Sequence, residues 1–146
     1  MAAFDHFGIE YLIVGGVAYG IHAEPRYTKD LDIVVHVDPE SVERLFEALQ
    51  QHGAPIHLIA ASDFLNHDFV FYFGQPPWRI DILTSIPGVD FERAYEDRVT
   101  AILGGSSPTF ISKEWLIRAK VASGRPQDQV DVSILKMGLD ATGKPE

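Results

Sequence analysis

The sequence predicts an α/β fold of the α+β kind, a mixed central sheet flanked by helices with the C-terminal helices packed on it. Three observations carry this. Apolar runs of strand length recur at Tyr11–Val14, Asp30–Val37, Asp68–Phe73 and Trp78–Leu83. Between them lies at least one segment of helical period, where Val42, Leu45, Phe46 and Leu49 form an i, i+3, i+4, i+7 stripe. Glycine and proline stand at the boundaries of both kinds of segment.

In chain order, residues 4–8 form the end of a short helix stopped at Gly8, followed by the buried-type strand Tyr11–Val14. Gly15-Gly16 turns the chain into a short helix ending near Ala23, and a connection broken at Pro25 leads to the strand Asp30–Val37. The next helix is expected to be capped by Asp38, to hold Pro39 at its first position and to close at Gly53. Ile56–Ala60 reads as a strand and Ser62–Asn66 as a turn or single helical turn. Asp68–Phe73 and Trp78–Leu83, separated by Gly74-Gln75-Pro76-Pro77, read as a hairpin with a longer loop. A short helix over Asp90–Glu96 and a strand over Arg98–Leu103 follow. Ser112 caps a helix that Gly124 breaks, and Pro126 restarts it to about Met137. Residues 1–137 are expected to be a single domain and 138–146 a flexible tail.

At 146 residues and 46% apolar content the chain can bury a substantial core. It has no cysteine, which excludes disulfides, zinc-thiolate sites and thiol nucleophiles. No apolar run reaches the ~20 residues needed to span a bilayer, and the N-terminus has no basic, apolar leader, so no membrane partner and a cytoplasmic location are expected. A net charge of −9 argues against an extended nucleic-acid-binding surface.

Asp30 and Asp32 alternate with Leu31 and Ile33, so both carboxylates project from one face of a strand. Asp81 repeats the pattern between Ile80 and Ile82. Three carboxylates on otherwise apolar strands repel one another and resist burial unless a cation joins them. A hard divalent ion takes oxygen ligands, so Asp30, Asp32 and Asp81 are candidate Mg²⁺ ligands. Two such ions bridging triphosphate oxygens, with Mn²⁺ as a substitute, account for the cluster. Gly15 and Gly16 join a strand to a helix start, where free N–H groups and the helix dipole favour phosphate. Arg26, Thr28 and Lys29 precede the aspartate strand and are candidates to touch phosphate or base; ordinary loop polarity is the alternative. Lys120 projects between Leu116 and Ile117 on a helix whose apolar arc also includes Val121. It either reaches the triphosphate or an active-site carboxylate, or pairs with Asp128 or Asp131 on the way to water.

Val14-Gly15-Gly16, then thirteen residues, then Asp30-Leu31-Asp32-Ile33, and later Ile80-Asp81-Ile82, resembles the signature of the DNA polymerase β-like nucleotidyltransferase superfamily. The stretch GGVAYGIHAEPRYTKDLDI, with IRAKVASGRPQDQVDVSIL downstream, is most similar to small nucleotidyltransferases related to abortive-infection toxins. The resemblance implies a nucleotidyltransferase fold and Mg²⁺-dependent transfer of a nucleotide from a triphosphate such as ATP to an acceptor hydroxyl. The acceptor is left open between an RNA 3′ end, a protein and a small molecule. The resemblance further implies a cognate partner in a toxin–antitoxin pair, and a needed lysine matched here by Lys120 of Lys120-x-x-x-x-Arg125.

Rival readings fit less well. The dinucleotide fingerprint G-x-G-x-x-G needs glycine where Val17 stands, and no G-x-x-x-x-G-K-S/T loop occurs. A three-carboxylate nuclease shares the metal chemistry but not the need for a glycine turn. The alternative from another class is a non-catalytic nucleotide-binding protein, or toxin–antitoxin partner, that keeps the fold.

Overall fold

The computed structural model describes residues 2–102 and 104–140. The chain runs α1 (Ala2–His6), β1 (Glu10–Val14), α2 (Gly15–His22), β2 (Asp30–His36), α3 (Val42–His52), β3 (Val70–Phe73) and β4 (Arg79–Leu83). It continues through α4 (Phe91–Glu96), β5 (Val99–Thr100), β6 (Thr109–Phe110), α5 (Lys113–Ser123) and α6 (Pro126–Asp140). The strands form a mixed six-stranded sheet in the order β3-β4-β2-β1-β6-β5. β2 runs parallel to β4 and antiparallel to β1, so the aspartate strand lies at the centre, between an antiparallel and a parallel neighbour.

Register divides the sheet into two chemically distinct faces. Phe71, Ile82, Ile33, Ile13 and Phe110 align in one row across five strands, and all five are buried. Helices α1 and α3 cover that face: the Phe4 and Tyr11 rings lie 5.5 Å apart, and Leu49 and His52 close a small cavity against Ile33, Ile80 and Ile82. On the opposite face the neighbouring row reads Tyr72, Asp81, Asp32, Val14. Leu116 of α5 and, farther along β2, Phe91 of α4 (stacked on His36 at 5.2 Å) cover part of it. The end of the sheet that carries the carboxylates stays accessible.

Several elements differ from the sequence reading. Ile56–Ala60 is not a strand: Ile56–Leu58 forms a 3₁₀ turn, and a second over Ala61–Leu65 fits the expected helical turn. Apolar character alone does not separate a strand from a turn pressed against a core. Pro39 does not open α3. The Asp38 carboxylate accepts from the Glu40 and Ser41 amides (2.9 and 2.8 Å), which closes a turn, and the helix starts at Val42. The strand expected over Arg98–Leu103 is only Val99–Thr100; Leu103 lies outside the described residues. Thr109–Phe110, not expected as a strand, pairs parallel with β1. Ser112 caps α5 as read, accepting from the Trp115 amide at 3.3 Å. Val121, placed in the apolar arc of that helix, is exposed. Helix α6 continues through Asp140, and residues 141–146 of the expected tail lie outside the described residues.

Candidate active site

Asp32 occupies the middle of the polar row, opposite Asp81 on β4 and Val14 on β1. Asp30 lies two residues back on β2, opposite Arg79. The register brings the three acids of the sequence reading onto one face, because parallel pairing of β2 with β4 aligns their alternations in phase. Burial, then the charges of Asp81 and Asp30, push the Asp32 carboxyl up to about 6.

Arg79, which the sequence reading passed over, holds this group together. Its Nε donates to Asp81 Oδ1 at 2.8 Å, and Nη2 donates to Asp81 Oδ2 at 3.1 Å and to Asp30 Oδ2 at 3.4 Å. Its backbone amide donates to the Lys29 carbonyl at 2.9 Å, which fixes the start of β4 beside β2. The signal was present in Arg79-Ile80-Asp81, since i and i+2 share a strand face. What was missing was the register that brings in Asp30.

Gly15 stands against Asp32. Its φ is +67°, and a Cβ there would overlap the Asp32 carboxylate. Gly16 has ordinary φ, and a Cβ there would meet the Thr28 side chain at 3.4 Å, ordinary van der Waals contact. Thr28 serves the backbone: its hydroxyl donates to the Asp30 carbonyl at 3.1 Å and accepts from the Asp30 amide at 3.2 Å. Lys29 lines an apolar recess with Thr28, Asp30, Trp78 and Arg79.

A cavity of about 300 Å³ opens over Val14, Gly15 and Asp32, walled by Leu83, Ile86, Leu116, Lys120, Arg125 and Asp128. Lys120 combines features of both readings. It lines the cavity with Asp32, and its Nζ also pairs with Asp131 at 2.9 Å and Asp128 at 3.5 Å. Asp131 is fully buried and also accepts two bonds from Arg26, at 2.6 and 3.0 Å, and one from Gln127 at 2.9 Å. The Arg26 guanidinium above all, with Lys120 and Gln127, holds the Asp131 carboxyl far below the usual range. Arg26 therefore reaches Asp131, not the carboxylate row, with its guanidinium 3.8 Å from the Tyr19 ring centre. Arg125 is tied to Asp128 at 2.8 Å.

Chemically, the site offers hard oxygen ligands, backbone donors at a helix start and a fixed ammonium around one cavity. Those are the parts that phosphoryl chemistry uses.

Known proteins of this shape carry related chemistry in their names. An antigenic nucleotidyltransferase-like protein from Paracoccidioides brasiliensis superposes with a TM-score of 0.54 at 20% identity, over 92% of this chain and 69% of that one. The antibiotic-resistance factor ANT(2″)-Ia superposes in its solution structure with a TM-score of 0.55 at 16% identity, over 97% of this chain and 80% of that one. Its crystal structure in complex with adenylyl-2″-tobramycin gives 0.54 at 15% identity, over 97% and 86%. At such identities these likenesses establish a shared fold. No curated protein matches the sequence. Residues 5–137 match the family described as "Nucleotidyltransferase of unknown function (DUF6036)", and the chain belongs to that family of nucleotidyltransferases.

Proposed function

We propose that this nucleotidyltransferase moves a nucleoside monophosphate from a triphosphate, ATP in the simplest case, onto an acceptor hydroxyl with Mg²⁺ as cofactor. The observation that supports the reading best is the row Asp81–Asp32 with Asp30 one step along it, flanked by Gly15 and a cavity lined by Lys120.

The donor set fits a hard cation. Three carboxylates crowd one face, and the structure already supplies a positive charge to them through Arg79. Among the described residues no three acidic or histidine side chains close on one point as a ready metal cage, since Arg79 draws Asp81 and Asp30 toward itself. Asp30, Asp32 and Asp81 would hold the metal, which when bound supplies Lewis-acid stabilisation of charge on the phosphate oxygens. The chain's own residues do the rest. The amides at the Gly15 turn receive phosphate, and Lys120 faces the charge that develops on the departing pyrophosphate. The acceptor oxygen forms its bond to the α-phosphorus as the bond to pyrophosphate breaks. Asp81, the acid farther from Gly15 along the row, takes the hydroxyl proton.

The finer form of the reading, carried by the sequence resemblance, places the chain in the toxin-related branch with a cognate partner; the cytoplasm is the location we propose for it. Among the described residues no helix is long and apolar enough to cross a membrane.

Calorimetry with ATP, GTP, CTP and UTP, with and without Mg²⁺, tests the core of the proposal. Metal-dependent binding of at least one triphosphate is expected. So is loss of label transfer from α-labelled triphosphate to total RNA, protein or small-molecule extract in Asp32→Asn, by at least about 100-fold. Triphosphate binding that is absent in the wild-type chain, or indifferent to metal, would leave the non-catalytic reading in its place.

A further inference from the structure

The carboxylate row continues one strand beyond Asp81. Tyr72 on β3 pairs directly with Asp81 on β4, so across neighbouring strands the row runs Tyr72, Asp81, Asp32, Val14. Side chains directly opposite one another share a face, with the strands about 4.8 Å apart. The Tyr72 ring stays close to the acids. Its centre is 5.3 Å from the Arg79 guanidinium, which is itself bonded to Asp81 and Asp30.

The two ends of the row differ in chemistry. Gly15, the cavity above it and Lys120 lie at the Val14 end, where the reading above puts the departing pyrophosphate. Displacement at phosphorus runs roughly in line, so the attacking oxygen approaches from the side away from the leaving group. Tyr72 stands on that side. It is 64% exposed, and among the described residues its hydroxyl has no hydrogen-bond partner in the protein. Thr28, another hydroxyl near the acids, is engaged in two bonds with the Asp30 backbone. The remaining tyrosines stand off the row: Tyr11 and Tyr19 are buried, Tyr27 packs edge to face on Trp78, and Tyr95 stacks on Phe91.

We propose that Tyr72 is a site of self-nucleotidylation, its phenol oxygen accepting the nucleoside monophosphate from a triphosphate bound to the same chain. This rests on the transfer reading above and names an acceptor hydroxyl that the chain itself carries. The phenol oxygen forms a bond to the α-phosphorus, the bond from that phosphorus to pyrophosphate breaks, and the phenol proton passes to Asp81. The product is a tyrosyl phosphodiester. Acceptor and acids belong to one chain, so the step is unimolecular once the triphosphate is bound.

The test incubates the intact protein and Mg²⁺ with α-labelled ATP, GTP, CTP and UTP in turn, with no added acceptor. Covalent label from at least one of them is expected, with a mass gain of one nucleoside monophosphate per chain. Trypsin locates it: the fragment 45–79 lies between the cuts at Arg44 and Arg79, and Tyr72 is its one tyrosine. Tyr72→Phe keeps the ring and loses the hydroxyl, and should cut labelling by at least about 100-fold, as should Asp32→Asn. Tyr27→Phe should label as the wild-type chain does. In Tyr72→Phe the melting temperature should match the wild type and triphosphate–Mg²⁺ affinity by calorimetry should stay within about twofold, so that lost label reports the acceptor. The rate constant should hold over about a tenfold range of protein concentration, as an intramolecular step requires. Wild-type labelling in Tyr72→Phe, no label while a triphosphate binds with Mg²⁺, or a rate constant that rises with protein concentration each overturns the proposal and leaves the transfer reading standing. Failure of the wild-type chain to bind any triphosphate with metal is the separate result that removes the transfer reading itself.

Discussion

Asp32 carries its negative charge in a place that resists it, half-buried in the sheet with Asp81 opposite and Asp30 along the same strand. A carboxyl raised from 3.8 to about 6 in the folded chain favours the protonated state there. The folded state then binds a proton that the unfolded chain has released, so stability falls as pH rises between about 4 and 6 and the penalty is complete above 6. The shift corresponds to about 3 kcal/mol, reduced to about 2 by the solvent that still reaches the group. Asp32→Asn is therefore expected to melt higher than the wild-type chain at pH 7.5 in chelator, with the difference vanishing near pH 4. Thermal melts across that range check it, and an unchanged or lower melting temperature at pH 7.5 contradicts it. At this scale the three acids were legible, because alternation between isoleucine and leucine marks a face. Arg79 was not, because its second carboxylate comes from a strand 49 residues away. For Lys120 the structure shows the pairing with Asp131 and Asp128 that the sequence reading offered as one account. An ammonium can be paired to Asp131 and still line the cavity above Asp32.

Among elements, the β1–α2 junction ties backbone shape most directly to the site. Gly15 opens α2 with φ +67°, a conformation L side chains rarely adopt, and its missing Cβ leaves the space that the Asp32 carboxylate fills. Gly16 has ordinary φ, and an added Cβ would meet nothing nearer than the Thr28 side chain at 3.4 Å, so the two glycine positions are not equivalent. Gly15→Ala should cost about 1–3 kcal/mol in urea unfolding and weaken triphosphate binding, while Gly16→Ala should be tolerated on both counts. Equal effects from the two substitutions would show that the turn, rather than the close approach to Asp32, is what matters. The sequence marked both glycines as a turn; it could not say which one touches an acid. The missed strand β6 has a similar cause. Two residues carry no period, and Thr109–Phe110 is ordered as strand only because β1 offers it an edge.

For the molecule as a whole, the hairpin, the glycine turn and the capped α5 were legible from local chemistry, and the mixed character of the sheet with them. The strand order was not, since β2 joins β4 across a helix, two 3₁₀ turns and the strand β3. The long-range tie that matters most is Asp131. It fastens the connection before β2, through Arg26, to α5 and α6, with the partners 105 positions apart in sequence. Removing it leaves a buried lysine and a half-buried arginine without their carboxylate, so Asp131→Ala should lower stability by about 3 kcal/mol or more in chemical unfolding at pH 7. Its carboxyl is lowered in the folded state, so the contribution is present above about pH 4 and is lost as pH falls below it. The wild-type and variant midpoints should converge in acid; a constant gap would assign the loss to packing instead. Lys120→Ala shares this partner and should also lose stability, so its effect on turnover is read only beside a melting curve.

Asp131 lies on α6, after every acid and glycine of the site, and this sets an order of assembly. Gly15, Asp30, Asp32 and Asp81 all precede it, and Lys120 and Arg26 acquire their shared counter-charge only when α6 docks. A nascent chain emerging from the ribosome would thus display its acids and its phosphate turn early, with the ammonium above them still unanchored. Under the proposed chemistry, nucleotidyl transfer begins only once α6 has docked, and a chain that has not yet folded that helix carries the machinery in a disarmed form.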